Sequence, residues 1–168
     1  MKKLLALLLC AWMLVSVFAA CGGREEKIAL TRSYTFSGVS LKLPDGFTVT
    51  NKEEGYSVAA NKETGDYVAF VKAEADHPEN YTEEAVKSIY IEKYGDAIGE
   101  TLRFEKRKID GFDAFVVSGR YSDGKKDNNF ISVSIFMSDK TATITYNGLS
   151  GTFDDAFARS VDGIRITK

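Results

Sequence analysis

The sequence predicts an α+β domain in which a mostly antiparallel β-sheet is packed between helices. Most of the chain alternates apolar and polar side chains with a period of two, which is typical of strands with one buried face. The connections between these segments are of hairpin length, which favours antiparallel pairing. With 168 residues, of which 44% are hydrophobic and 27% charged, the chain has the size and composition of one globular domain.

The first half of the chain contains four short segments with strand alternation. They lie at residues 39–43, 47–50, 56–60 and 67–71. The sequence Pro44-Asp45-Gly46 predicts a turn, because proline presets φ and glycine adopts a positive φ without steric cost. Gly65 marks a further hairpin connection.

A helix is predicted after these strands. Asn80 and Glu83 have the spacing of a capping box, with Asn in place of the usual Ser or Thr. We expect Gly95 or Gly99 to end the helix. The residues that recur at helical spacing on its apolar side are Ala85, Val86, Ile89, Tyr90, Tyr94 and Ala97.

The second half of the chain predicts a four-stranded meander followed by a short helix and a last strand. The strands are expected at residues 101–109, 114–121, 129–137 and 142–146. Asp110-Gly111 and Asp123-Gly124 predict hairpin turns, since this dipeptide tolerates positive φ at both central positions. Thr152 is the predicted cap of the final helix, and Ile164 and Ile166 indicate the last strand.

Three segments of the chain resemble PsbP-like proteins. They are VSLKLPDGF at residues 39–47, KIDGFDA at residues 108–114, and the closing segment at residues 153–166. The resemblance spans residues 34–168 and implies a PsbP-like α/β/α sandwich, the fold of the photosystem II extrinsic protein and of a Ran-binding transport factor. Phe47 stands where these proteins more often have Trp. No photosynthetic or Ran-binding motif is present to carry over.

The first twenty residues are predicted to be a signal peptide. Lys2 and Lys3 form a basic start, and residues 4–20 then run without a charge. A membrane-spanning helix is the alternative, although seventeen residues are at the lower limit for crossing a bilayer core of about 30 Å.

Cys21 is the predicted site of lipidation. It follows Ala19-Ala20 and precedes Gly22-Gly23, an arrangement that resembles a bacterial lipobox. In such lipoproteins the Cys sulfur receives a diacylglyceryl group and the Cys becomes the new N-terminus, with acyl chains such as palmitate. The alternative is an ordinary signal peptide followed by an accidental Cys. We therefore expect a signal peptide at 1–20, a lipidated Cys with a tether at 21–33, and one domain at 34–168.

The composition excludes some classes of function. A net charge of −2 argues against a nucleic-acid partner. One His and two Cys argue against a His- or Cys-based metal site, and no cofactor motif is present. The main hypothesis is therefore a membrane-anchored extracytoplasmic lipoprotein that acts as a non-catalytic binding or assembly module. Its expected partners are membrane lipid through acylated Cys21 and an envelope protein or small ligand.

The alternative function is a cell-envelope enzyme, a hydrolase that uses carboxylates such as Asp76 and Glu79. Paired carboxylates perform acid–base chemistry when their environments separate their pKa values. His77 is the sole histidine and is expected in an exposed loop. Ser150 has glycines nearby but not in the spacing of a nucleophile elbow, so no catalytic residue is assigned.

Three other groups of residues are candidate sites. The aromatic residues Tyr34, Phe36, Tyr56, Tyr67 and Phe70 suit a ligand cleft, but aromatic side chains at strand spacing are more often core. Lys106, Arg107 and Lys108, with Arg103, suit anionic lipid or a solvated strand. Asp123, Asp127 and Asn129 suit a hard cation or a solvated hairpin tip, and the neighbouring Lys125 and Lys126 favour the tip.

Overall fold

The computed structural model describes residues 27–122, 124, 127–149 and 154–167. Within them the chain forms ten strands, two α-helices and two short 3-10 turns. The elements are β1 (Leu30–Phe36), β2 (Val39–Pro44), β3 (Phe47–Glu53), β4 (Tyr56–Asn61), β5 (Tyr67–Ala73), α1 (Glu83–Tyr94), β6 (Arg103–Ile109), β7 (Phe112–Ser122), β8 (Asp127–Phe136), β9 (Thr141–Leu149), α2 (Asp154–Asp162) and β10 (Arg165–Ile166).

The strands form two antiparallel sheets. The larger sheet has seven strands in the order β3-β4-β5-β9-β8-β7-β6, and the smaller has three in the order β1-β2-β10. The smaller sheet and α2 pack on one face of the larger sheet, and α1 packs on the other. The predicted α+β architecture, a mostly antiparallel sheet between helices, is confirmed.

The main hydrophobic core lies between the two sheets. The inner faces of β2, β4, β5, β8 and β9 meet there, together with Phe157 and Val161 of α2. Tyr146 is fully buried in this core, and its hydroxyl lies 3.1 Å from the hydroxyl of Ser160. Ser160 in turn donates a hydrogen bond to the carbonyl oxygen of Lys42. This chain of hydrogen bonds joins β9, α2 and β2 at the centre of the core.

A second core lies under α1. Val86 of the helix and Ile98 and Leu102, which follow it, pack on aromatic residues of β7 and β8. Gly119 makes this contact close, because a Cβ there would lie 2.9 Å from a ring carbon of Phe130. The helix is thus fixed over β7 and β8, away from the middle of the sheet.

The start of α1 differs from the predicted capping box. The N-cap is Thr82, whose hydroxyl accepts a hydrogen bond from the amide of Ala85 at 3.2 Å. Asn80 instead ends a 3-10 turn, and its side-chain amide donates to Asp76. Thr82 takes the role because its backbone is extended and leads directly into the first helical residue. The helix ends at Gly95, one of the two predicted positions, where φ is 90°.

The first strand begins earlier than the alternation in the sequence predicts. Strand β1 starts at Leu30, four residues before Tyr34, from which the sequence shows a period of two. Its first half is largely exposed and polar, so it has no clear hydrophobic alternation, but it pairs with β2 from Leu30 opposite Pro44. The remaining strands agree with the predicted segments to within a few residues. Cys21 and the signal peptide lie outside the described residues, as does the predicted helix cap Thr152.

We expect Ser160→Ala to destabilise the protein by about 1–3 kcal/mol, because it leaves the buried hydroxyl of Tyr146 without its partner. Tyr146→Phe removes that hydroxyl and keeps the Ser160 bond to Lys42, so its loss of stability should be smaller. Urea unfolding measures the free energy of unfolding of both variants. An equal or larger loss of stability for Tyr146→Phe would contradict the role of Ser160 as the partner of the Tyr146 hydroxyl.

Candidate functional site

The α1 side of the seven-stranded sheet is only partly covered. The helix packs on β7 and β8, and no described helix lies over β4, β5 and β9 on that side. We call the side chains that these three strands present there the open face. Strand alternation and register assign to it Tyr56, Val58, Ala60, Tyr67, Ala69, Val71, Thr143, Thr145 and Asn147.

The open face has an apolar part and a hydroxyl part. Strands β4 and β5 contribute mainly aliphatic and aromatic side chains. Next to them, Thr145 pairs with Ser132 of β8 at 2.9 Å between hydroxyl oxygens, and Thr143 pairs with Ser134 at 3.0 Å. These pairs satisfy the hydroxyl groups among themselves, so they form a polar strip between α1 and the apolar part.

One flank of α1 borders the open face. Val86 and Tyr90 point to the sheet, and Ile91 lies on the side of Gly99, which follows the helix. Ile89 and Lys93 are therefore on the opposite flank, towards β9 and β5. Ile89 is 56% exposed, Val71 is 41% exposed and Tyr67 is 39% exposed. These three belong to the small group of large hydrophobic residues that the described structure leaves open to solvent.

Tyrosine side chains are concentrated where α1 meets the open face. Tyr90 stacks on Phe130 with ring centres 5.2 Å apart, and Tyr94 lies 4.4 Å from Tyr121. Burial raises the pKa of the Tyr90 hydroxyl, which is hydrogen-bonded to Ser132. Burial and the neighbouring Tyr94 raise the pKa of Tyr67. The cluster thus presents neutral phenol groups that can donate and accept hydrogen bonds.

Lys93 is the cation of this cluster. Its ammonium lies 4.9 Å from the centre of the Tyr94 ring, and the hydrogen bond with Tyr94 raises the pKa of Lys93. Within the described part of the chain, it forms no ion pair with a carboxylate. Lys93 therefore keeps its positive charge in an aromatic setting, which is suited to an anionic ligand.

Two shallow cavities adjoin the other side of the tyrosine cluster. One, of about 330 Å³, is lined by Tyr94, Tyr121 and Arg120. A neighbouring one, of about 430 Å³, shares Arg120 and is also lined by Arg103 and Glu100. Both contain acidic as well as basic side chains. Neither is the deep cleft with two converging carboxylates that a hydrolase of the predicted kind needs.

Asp76 has a structural environment. Its carboxylate accepts hydrogen bonds from the amide of His77 at 2.7 Å, from the side chain of Asn80 at 2.8 Å and from the hydroxyl of Tyr81. The Tyr81 hydrogen bond is the main reason that the pKa of Asp76 is lowered. A carboxylate held ionised in this way is a poor general acid at neutral pH.

His77 and Glu79, the other residues considered for catalysis, lie beside Asp76 in the exposed segment before α1. His77 is exposed, as predicted, and its Nδ1 lies 3.8 Å from a carboxylate oxygen of Glu79. Ser150 lies outside the described residues, as do Asp123 of the candidate cation site and the neighbouring Lys125 and Lys126. Among the residues that the structure describes, no group of three or more His, Cys, Asp or Glu side chains could hold a metal ion.

The basic residues of β6 do not form one patch. Strand alternation directs Arg103 and Arg107 to one face and Lys106 and Lys108 to the other. Arg107 pairs with Asp162 at 2.8 Å, and Lys108 pairs with Asp113 at 2.6 Å. Their position on an edge strand suits protection against pairing with another sheet.

The aromatic residues that the sequence suggested for a cleft are divided by the larger sheet. Tyr34, Phe36 and Phe70 belong to the core between the sheets, whereas Tyr56 and Tyr67 are on the open face. Sequence reasoning interpreted Tyr90 and Tyr94 as core residues and did not single out Lys93. Five of the eight tyrosines of the chain come together here, which only the fold reveals, at Tyr56, Tyr67, Tyr90, Tyr94 and Tyr121.

The two-sheet architecture with its flanking helices is a PsbP-like fold. No family model matches the sequence, and no curated protein matches it. Among solved structures, cyanobacterial PsbP (CyanoP) from Synechocystis is similar, with 16% identity and a TM-score of 0.60 over 87% of this chain and 96% of that one. At these identities the likeness establishes the fold.

Two further structures share this fold. The Ran-binding protein Mog1p of Saccharomyces cerevisiae has 9% identity and a TM-score of 0.55, over 82% of this chain and 96% of its own. LpqN of Mycobacterium tuberculosis, which is described as involved in cell envelope biogenesis, has 13% identity and a TM-score of 0.53, over 82% and 90%. In the described residues, neither helix has the length and apolar character needed to span a bilayer.

We expect Tyr81→Phe to raise the pKa of Asp76, because it removes the hydrogen bond that contributes most to the lowered value. Titration of the Asp76 carboxyl by nuclear magnetic resonance measures this change. Tyr34→Phe, which removes a phenol bonded to the carbonyl of Phe47, is the control and should leave Asp76 unchanged. An unchanged Asp76 in Tyr81→Phe would contradict its structural role.

Proposed function

We propose that the chain is an extracytoplasmic bacterial lipoprotein, held on a membrane by acylated Cys21, whose PsbP-like domain acts as a non-catalytic binding or assembly module. The open face beside α1 is the observation that carries the binding role. It combines exposed apolar side chains, phenol groups and the charge of Lys93 on one accessible surface.

The environment of Asp76 supports a non-catalytic role over the carboxylate-based hydrolase. Its oxygens are bonded to groups of its own loop, and its lowered pKa is opposite to what a general acid requires. The open face offers phenols and hydroxyls, which suit recognition, and the hydroxyls of β8 and β9 are bonded to each other.

The similar structures are compatible with this proposal through their descriptions. One is named as a Ran-binding protein and another as a participant in cell envelope biogenesis. From them we take only the general idea of a binding domain in the cell envelope. We assign neither the partner of the one nor the process of the other to this chain.

The early start of β1 makes the proposed tether short. Eight residues, 22–29, separate Cys21 from Leu30, and a flexible chain of that length has a root-mean-square span of about 15 Å. The backbone carbonyl of Ile28 is already bound by Arg159 of α2 at 2.7 Å, which shortens the reach further. The domain is therefore held against the membrane surface.

We expect Cys21→Ser to release the protein from the membrane fraction or leave its leader uncleaved, because the sulfur that receives the lipid is absent. Two acyl chains are needed for stable anchoring, so the loss should be nearly complete. Fractionation and mass spectrometry of the N-terminal peptide measure the result.

Cys10→Ser is the matched control, since Cys10 is the only other cysteine and lies within the predicted leader. It should be anchored like the wild type. A wild-type protein with a free Cys21 thiol, or one that stays on the membrane after Cys21→Ser, would refute the proposed anchor.

A further inference from the structure

We infer that the groove between α1 and β5 binds an anionic lipid of the membrane that holds the chain, with the lipid head group at Lys93 and an acyl chain along β5. The inference deepens the proposed function and rests on it for the position of the membrane. The groove consists of the open face as its floor and the Ile89–Lys93 flank of α1 as its wall.

The head-group end of the groove is defined by charge and hydrogen-bond donors. The Lys93 ammonium is hydrogen-bonded to Tyr94, and its charge is opposed by no described carboxylate in an ion pair. Tyr67 lies close enough to Lys93 for each to influence the charge state of the other. A phosphate or carboxylate here would receive a charge-assisted hydrogen bond from Lys93, with the phenol hydroxyls nearby.

The floor of the groove suits an acyl chain. From Tyr67, strand β5 continues with Ala69 and Val71 on the same face, and Val58 lies beside Ala69 on β4. The step from Tyr67 to Val71 is about 13 Å, since a strand rises about 3.3 Å per residue. A bilayer core of about 30 Å gives each leaflet about 15 Å, so the floor matches the length of one acyl chain.

The head-group end of the groove is also the end at which the chain enters the domain. Leu30 pairs with Pro44 at that end of the small sheet, and the turn after Pro44 leads to Phe47. In the large sheet, Phe47 is in the same row as Asn61, next to the β4–β5 hairpin that ends at Tyr67. A tether from Cys21 would therefore place the Lys93 and Tyr67 end of the groove next to the membrane.

The lysines of β6 are not placed to bind the lipid head group in place of Lys93. Lys106 and Lys108 lie towards the end of β6 that turns into β7 at Ile109, whereas Arg103 is at the end near the tyrosine cluster. The tether thus directs Lys106 and Lys108 away from the membrane. Lys106 is exposed and has the same charge as Lys93, which makes it a suitable control position.

The test uses the complete lipidated protein in vesicles of phosphatidylcholine that contain a small fraction of phosphatidylglycerol with a diazirine in its acyl chain. After illumination, mass spectrometry locates the labelled residues. We expect labels on β5 and on the Ile89 flank of α1, and a loss of about tenfold in Lys93→Met. Lys93→Arg should retain most of the labelling, and Lys106→Met should match the wild type.

The same experiment separates this inference from the proposed anchor. Labels on residues 22–29 report that the chain is held at the membrane, whatever the groove binds. Such labels without any on β5 would overturn the lipid site and leave the anchor intact, and would favour a protein segment as the occupant. Two results would overturn the role of the anionic head group. One is that phosphatidylcholine with a diazirine labels the groove as strongly as phosphatidylglycerol does, and the other is that the Lys93→Met variant is labelled as strongly as the wild type.

Discussion

The width of the seven-stranded sheet is the constraint on which the rest of the structure depends. Strands lie about 4.8 Å apart, so seven of them span roughly 29 Å, whereas one helix covers about 10 Å. One face packs against the small sheet and α2. Among the described residues, the other face receives one α-helix, α1, with the short segments beside it, fixed over β7 and β8 by Val86 and the aromatic residues beneath it. The open face follows from this difference in width.

The side chains at the border of α1 show how the protein tolerates an uncovered face. Tyrosines replace purely apolar residues, so that their rings contribute to the core and their hydroxyls reach Ser132, Asn147 or Lys93. The hydrogen-bonded serine and threonine pairs of β8 and β9 likewise place polar groups on this side of the sheet. The same features that keep this surface compatible with water also give it the means to bind a ligand with an apolar and a charged part.

Local signals in the sequence were sufficient for much of the fold. Asp110 and Gly111 both have positive φ, at 49° and 88°, as their hairpin turn requires. Strand β1 was partly missed because its first half is exposed on both sides and has no alternation. The site could not be predicted in the same way, since its position depends on which strands α1 covers. Periodicity shows that Tyr90 and Tyr94 face the sheet, but not that Lys93 beside them borders an open surface.

The central claim is that the open face contacts membrane lipid. Two variants, each with a single tryptophan on one face of the larger sheet, test it most directly. In the complete anchored chain, cleavage of the leader has removed Trp12, the only native tryptophan, so Tyr67→Trp or Val49→Trp introduces a single one. Val49 is 51% exposed but pairs with Ala59 on the opposite face. With nitroxide-labelled lipid in the membrane, the account predicts strong fluorescence quenching at Tyr67→Trp and little at Val49→Trp. Equal quenching at both positions, or stronger quenching at Val49→Trp, would contradict it.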